Sequence, residues 1–126
     1  MEKDSKIDES WARLMKEAYG DVLETCVGEN LNETYFDNQK LKFWVAIDWH
    51  QEIINQIHST AGQKTKLMEM DIHDLQFKDA SFDTVVDTFG LECAYNPEEA
   101  FKEMKWVVWP GGKIILLERG MGVWLF

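Results

Sequence analysis

Short apolar runs alternate with stretches of helical period along most of this chain, and that alternation leaves few folds open to it. Residues 21–25 and 41–47 are apolar runs of strand length, the second rich in aromatic and branched side chains. After Asp48 the period changes: Ile53, Ile54, Ile57 and Ala61 recur at helical spacing, and Gly62 stands where a helix would end. Residues 65–70 and 81–88 give two further strands. Asn96 then predicts a helix start, with Pro97 in the first turn and Glu98 and Glu99 complementing the positive end of the dipole. The buried face of that helix is expected to be Ala100, Met104, Val107 and Val108, and a turn at Trp109, Pro110, Gly111 and Gly112 precedes a fifth strand at 113–117. Ahead of them all, Ser10 is expected to cap a short helix that presents Trp11, Leu14, Met15 and Ala18 on one face and ends at Gly20.

Strands separated by helices return to the sheet by crossovers, and runs apolar on both faces need cover on both sides. The expected fold class is therefore α/β, a doubly wound parallel sheet with right-handed connections. A chain of 126 residues has room for one such domain: a helical segment at 1–20, a core at 21–120 and an apolar tail at 121–126.

In a sheet of this kind ligands bind at the carboxyl ends of the strands, beside the point where the strand order reverses. Glu24, Asp48 and Asp71 fall at or just after the ends of the first three strands. Three carboxylates around one crevice repel phosphate and suit a cationic ligand carrying a ribose, whose two hydroxyls one carboxylate can bind. Taken singly, strand-end aspartates also cap the helix or turn that follows them. The formal charge of −10 likewise argues against nucleic acid and anionic membrane surfaces as partners. Cys26 and Cys93 have no metal-ligand spacing and read as small residues near the core in a reducing compartment, and no apolar stretch reaches bilayer-spanning length. The acidic, polar N-terminus lacks the character of a signal or transit peptide, so the cytoplasm is the expected location, with mitochondria as the other compartment in view.

The run Val22-Leu23-Glu24-Thr25-Cys26-Val27-Gly28-Glu29-Asn30 resembles the first motif of class I S-adenosylmethionine-dependent methyltransferases, an acidic residue followed by a glycine-rich loop. Further matches follow in order. Ala46-Ile47-Asp48 is similar to the ribose-binding motif and Met70-Asp71-Ile72-His73-Asp74-Leu75 to the adenine motif. Ser81-Phe82-Asp83-Thr84-Val85-Val86 is similar to the fourth strand, and Trp109-Pro110-Gly111-Gly112-Lys113 to the turn before the fifth. Five ordered motifs are far more specific than any one glycine loop. Asn32, Tyr35 and Phe36, with Thr88-Phe89-Gly90-Leu91, resemble the small-molecule, quinone and thiol methyltransferase branches.

The resemblance implies a Rossmann-like sheet of order 3-2-1-4-5 and S-adenosylmethionine as cofactor, held by Glu24, Gly28, Asn30, Asp48, Trp49, Asp71, Ile72 and Thr88. It implies a small-molecule methyl acceptor, while catalytic residues stay unassigned. Two departures accompany it. Of the family's three loop glycines only Gly28 is present, with Cys26 and Asn30 at the other two positions. The family's last two strands are also missing from the pattern, so residues 114–117 are expected to form an open apolar edge. The tail at 120–126 would cover that edge, or bury it against a second copy or a larger assembly. Trp106, Trp109 and Trp124 suit an interface or the rim of a core equally. The alternative to an enzyme is a catalytically inactive methyltransferase-like subunit with an assembly role. His73 is expected to face solvent from a loop, and His50 and His58 to be surface or cap residues.

Overall fold

The computed structural model describes residues 2–29, 32–57, 64–118 and 122–125. The elements are α1 (Glu2–Met15), β1 (Gly20–Thr25), a 3-10 turn (Glu33–Tyr35), β2 (Leu41–Asp48), α2 (Gln51–Gln56), β3 (Thr65–Glu69), β4 (Phe82–Thr88), α3 (Gly90–Cys93), α4 (Pro97–Val107), β5 (Val108–Glu118) and β6 (Gly122–Leu125). They build one sheet of order β3-β2-β1-β4-β5-β6. The first five strands are parallel, in the order expected, and the order reverses between β1 and β4.

Residues alternate across the sheet, and each face has its own core. Val22, Trp44, Ala46, Val86 and Ile115 pack on one side with Trp11, Met15 and Ala18 from the N-terminal segment and Ile54 from α2. Leu23, Val45, Ile47, Val85 and Ile114 pack on the other with Ala100, Met104 and Val107 of α4. Burial on both faces explains why apolar residues stand side by side at Val22-Leu23, Val45-Ala46-Ile47, Val85-Val86 and Ile114-Ile115, whereas the edge strand β3 is only partly buried.

Several local expectations need correction. Ser10 does not cap α1; the helix already runs from Glu2, so Ser10 lies inside it. The expected end of the second helix, at Ala61 and Gly62, lies outside the described residues. Val108 is not on the buried face of α4 but opens β5, and the turn at 109–112 is absorbed into that strand. Pairing shifts there from Phe82↔Val108 to Thr84↔Lys113, so residues 109–112 bulge away from the ladder. Gly112 makes the bulge possible, since a Cβ on it would come within 2.6 Å of the Asp83 carbonyl oxygen.

Residues 114–117 are not an open edge either. β6 runs antiparallel along β5, with Ile115↔Leu125 and Leu117↔Val123 as partners, so the chain's own tail satisfies the backbone groups for which a second chain was one expected source.

The helix start at Asn96 is as the sequence predicts: its side chain accepts a hydrogen bond from the Glu99 N–H at 3.2 Å. Replacement by alanine removes the cap, so Asn96→Ala should cost about 1 kcal/mol, read as a lowered urea midpoint with an unchanged slope.

Candidate functional site

A cleft of about 320 Å³ opens at the carboxyl ends of β1, β2 and β4, beside the reversal in strand order. Five of the residues singled out from sequence line it: Gly28, Asp48, Trp49, Ile72 and Thr88. Glu24 and Asp71 are not among its lining residues, and Asn30 lies outside the described residues.

Glu24 lies in the interior, 1% exposed, at the centre of a polar node. The Trp44 indole N–H donates to Oε1 at 3.2 Å and the Asn32 amide to Oε2 at 2.9 Å. Asn32 donates its other amide proton to the Thr88 hydroxyl at 2.7 Å and accepts from the Trp11 indole N–H. An indole N–H only donates, so it fixes the amide's orientation and leaves no hydrogen-bonding atom of Asn32 unused. Burial nonetheless pushes the Glu24 carboxyl up to about 8, against the two donors that favour its charged form.

Asp48 is 7% exposed, and its oxygens are held apart by two backbone donors. Gly28 N–H donates to Oδ2 at 3.1 Å and His50 N–H to Oδ1 at 3.0 Å. This is the capping geometry that a strand-end aspartate commonly adopts, and it also orients the carboxylate and ties the glycine loop to the end of β2. Each oxygen keeps further capacity to accept.

Asp71 points instead at His73, whose backbone N–H and Nδ1 both lie 2.8 Å from Oδ1. Desolvation works to raise this carboxyl, but the backbone and ring of His73 outweigh it and leave it below its ordinary value. His73 is not a solvent-facing loop residue; it is 6% exposed and stacks on Tyr95 with centroids 3.7 Å apart. Asn96 N–H donates to its Nε2 at 3.2 Å, so Nδ1 carries the ring proton, given to Asp71. The ring thereby links the loop after β3 to the start of α4. Trp49 stands edge-on to both His73 and Tyr95 at the cleft rim.

The first loop keeps the conformation of a glycine loop despite its altered sequence. Cys26 has φ of 55° and Gly28 likewise 55°, so a non-glycine residue holds the left-handed state that the first glycine would adopt freely. The Cys26 side chain reaches the cleft wall, and Gly90 opposite has no room to become anything larger: a Cβ there would lie 2.7 Å from the Cys26 Sγ and 2.3 Å from Asp87 Oδ1. Burial pushes the Cys26 thiol far up, with nearby Asp87 and Asp48 adding to it, so it remains protonated. Cys93, expected near the core, is exposed at the cleft.

Asp87 was not identified from sequence, and its only signal was an acidic residue directly after the apolar pair Val85-Val86 of the fourth strand. It is fully buried below the cleft, taking the Thr25 hydroxyl at 2.6 Å and the Leu91 N–H at 2.9 Å, and thereby fixes the start of α3. Burial raises it to about 6. Phe89, also missed, lines the cleft with φ of 63°, a strained state for a bulky residue, pinned by its N–H to the Leu117 carbonyl at 2.8 Å.

Glu24, Asp87 and Glu118, raised to about 8, 6 and 7, all hold protons more tightly in the folded chain than their ordinary values of 4.5, 3.8 and 4.5 allow in the unfolded one. The folded state then binds more protons between those limits, so the stability these groups contribute is full below about pH 4 and is lost as pH rises toward 8. The melting temperature should fall between pH 5 and pH 8, and Glu24→Gln should flatten that slope; a melting temperature that rises over the interval would contradict the assignment.

A family model described as a methyltransferase domain matches residues 23–116. The mitochondrial methyltransferase OMS1 of Saccharomyces cerevisiae is 26% identical over 133 residues, an alignment covering 90% of this chain and 28% of that protein. The ubiquinone/menaquinone biosynthesis C-methyltransferase UbiE of Bdellovibrio bacteriovorus is 42% identical over 52 residues, covering 41% of this chain and 22% of that one. Among solved structures, the YcgJ protein of Bacillus subtilis superposes with a TM-score of 0.74 at 16% identity, over 88% of this chain and 50% of its own, a likeness of fold. The chain thus spans half or less of the length of each of these proteins. The matched segment contains the carboxyl end of β1, the reversal in strand order and every described residue that lines the cleft, and on that footing the chain belongs to the methyltransferase domain family.

Proposed function

We propose that the chain binds S-adenosylmethionine in this cleft and forms the cofactor-binding part of a methyltransferase acting on a small-molecule acceptor. The observation that carries the reading is the sign of the cleft: Asp48 faces it and, among the described residues, no lysine or arginine lines it. Such a site rejects phosphates and favours a sulfonium and an ammonium. Its volume of about 320 Å³ falls within the range of small-molecule sites.

The donor set fits the cofactor. Asp48, oriented by two backbone N–H groups, would take the ribose hydroxyls; half-exposed Trp49 and buried Ile72 would face the adenine; Gly28 and Thr88 would line the methionine end. Glu24 would act from beneath, by holding Asn32 and through it Thr88. Asn30 and Asp71 remain candidates for the loop and for the adenine edge. When bound, the sulfonium supplies an activated methyl group. What the chain's residues contribute is alignment for an in-line displacement, and positioning alone can carry much of such a rate.

Likeness to a quinone-pathway enzyme supports a small, apolar acceptor, which half-exposed Trp49 in the cleft lining would suit. The cytoplasm remains the proposed location and mitochondria the other compartment in view, supported by a mitochondrial relative; no described helix is long and apolar enough to cross a membrane. A second reading, a non-catalytic methyltransferase-like subunit, is favoured by Cys26, which sets a side chain where the family has a glycine. Self-association or docking to another subunit would then use a surface other than the β5 edge, which β6 covers.

Calorimetric titration with S-adenosylmethionine and its demethylated product separates the two. Wild type should bind both, Asp48→Ala should lose at least tenfold in affinity, and Cys26→Gly should bind several-fold more tightly as the side chain leaves the cleft. A folded wild type that binds neither compound would sink the enzyme reading and leave the second.

A further inference from the structure

Trp11 joins the N-terminal helix to the cleft. Trp11 lies on the face of α1 that packs against the sheet, 8% exposed, and its ring touches two aromatic groups: Tyr35 at 5.8 Å between centroids and Phe89, edge-on, also at 5.8 Å. Its indole N–H donates to Asn32, whose amide continues to Thr88 and to Glu24. Thr88 and Phe89 are both walls of the cleft, so Trp11 supports that wall from behind through two separate contacts, one polar and one aromatic. Phe89 holds a left-handed backbone that a bulky residue leaves readily unless its surroundings over-determine it.

We infer that Trp11 and Asn32 are positioning residues for the cofactor cleft, so that docking of α1 and occupancy of the cleft by S-adenosylmethionine are thermodynamically coupled. The inference rests on the cofactor reading above. With α1 undocked, Asn32 loses the partner that fixes its amide, and its second amide proton no longer has a set direction toward Thr88. Phe89 loses its edge-on neighbour at the same time. A ligand that requires the ordered Thr88–Phe89 wall therefore favours the docked helix, and by linkage the docked helix favours the ligand to the same degree. Other contacts of the segment, among them Met15 and Ala18 in the core and Glu17 paired with Lys113 at 2.9 Å, hold it on the sheet without entering the polar chain.

Hydrogen exchange on the wild-type chain, with and without saturating S-adenosylmethionine, tests the coupling directly. Amides of Ala12, Arg13, Leu14 and Met15 should slow tenfold or more relative to those of α4. Trp11→Phe keeps a ring against Tyr35 and Phe89 but removes the N–H, and should weaken cofactor binding about tenfold. Met15→Ala, which loosens the same helix from the core, should lower the melting temperature more than it lowers affinity. If Asn32 carries the polar link, adding Trp11→Phe to Asn32→Ala should weaken binding no further than Asn32→Ala alone. Cofactor binding with unchanged exchange in α1, or Trp11→Phe within twofold of wild type, would overturn the coupling and leave the cofactor reading standing. A wild type that binds no cofactor would overturn both.

Discussion

The site depends on a carboxyl group that never reaches it. Glu24 ends β1 in the interior, where a charged acid is costly, and its two oxygens are served by Asn32 and Trp44. Through Asn32 the same node reaches Thr88 at the end of β4 and Trp11 on α1. One buried acid and one buried amide thus tie three neighbouring strands, β2, β1 and β4, and a covering helix to one another. A partly satisfied network of this kind would destabilise the fold, whereas a satisfied one makes the geometry unique.

On that frame the cleft has two walls of different character. On one side Asp48 is oriented by the backbone of Gly28 and His50, so its charge is placed before any ligand arrives. On the other, buried Asp87 holds Thr25 and Leu91, and the chain passes through Phe89 in a left-handed state. Between them Cys26 and Gly90 meet with no spare room, so the space a glycine loop would leave to a ligand is partly taken by a thiol. Strain and crowding gather where the ligand would sit, while the sheet's register shifts lie at its other end, at Gly20 and at residues 109–112.

Much of this was legible in the sequence for a simple reason. Strands show as short runs with an apolar centre and crossover helices as a 3.6-residue period, which gave the alternation, while the five-strand order was what the resemblance in five ordered motifs implied. Asp48 and Gly28 were legible because each falls in its place within a set of ordered motifs, where a strand-end acid or a loop glycine alone would have read as a cap or a turn. His73 was misread because a loop histidine between polar neighbours looks solvated; only the approach of Tyr95 and Asn96 from a distant segment buries it. Asp87 and Phe89 were missed because their roles lie in contacts with Thr25, Leu117 and Trp11, none of them near in sequence.

The sequence by itself determined the class of fold, the place of Asp48 at the crevice and the family to which the chain belongs, since these rest on periodicity, strand ends and motif order, all local properties. The tertiary structure alone decided that Glu24 lies beneath the cleft, that Asp71 is engaged by His73, that the tail closes the β5 edge, and that Trp11 stands behind Phe89. Each of these is a contact between segments far apart along the chain, and such contacts are set by how two packed faces meet on one sheet.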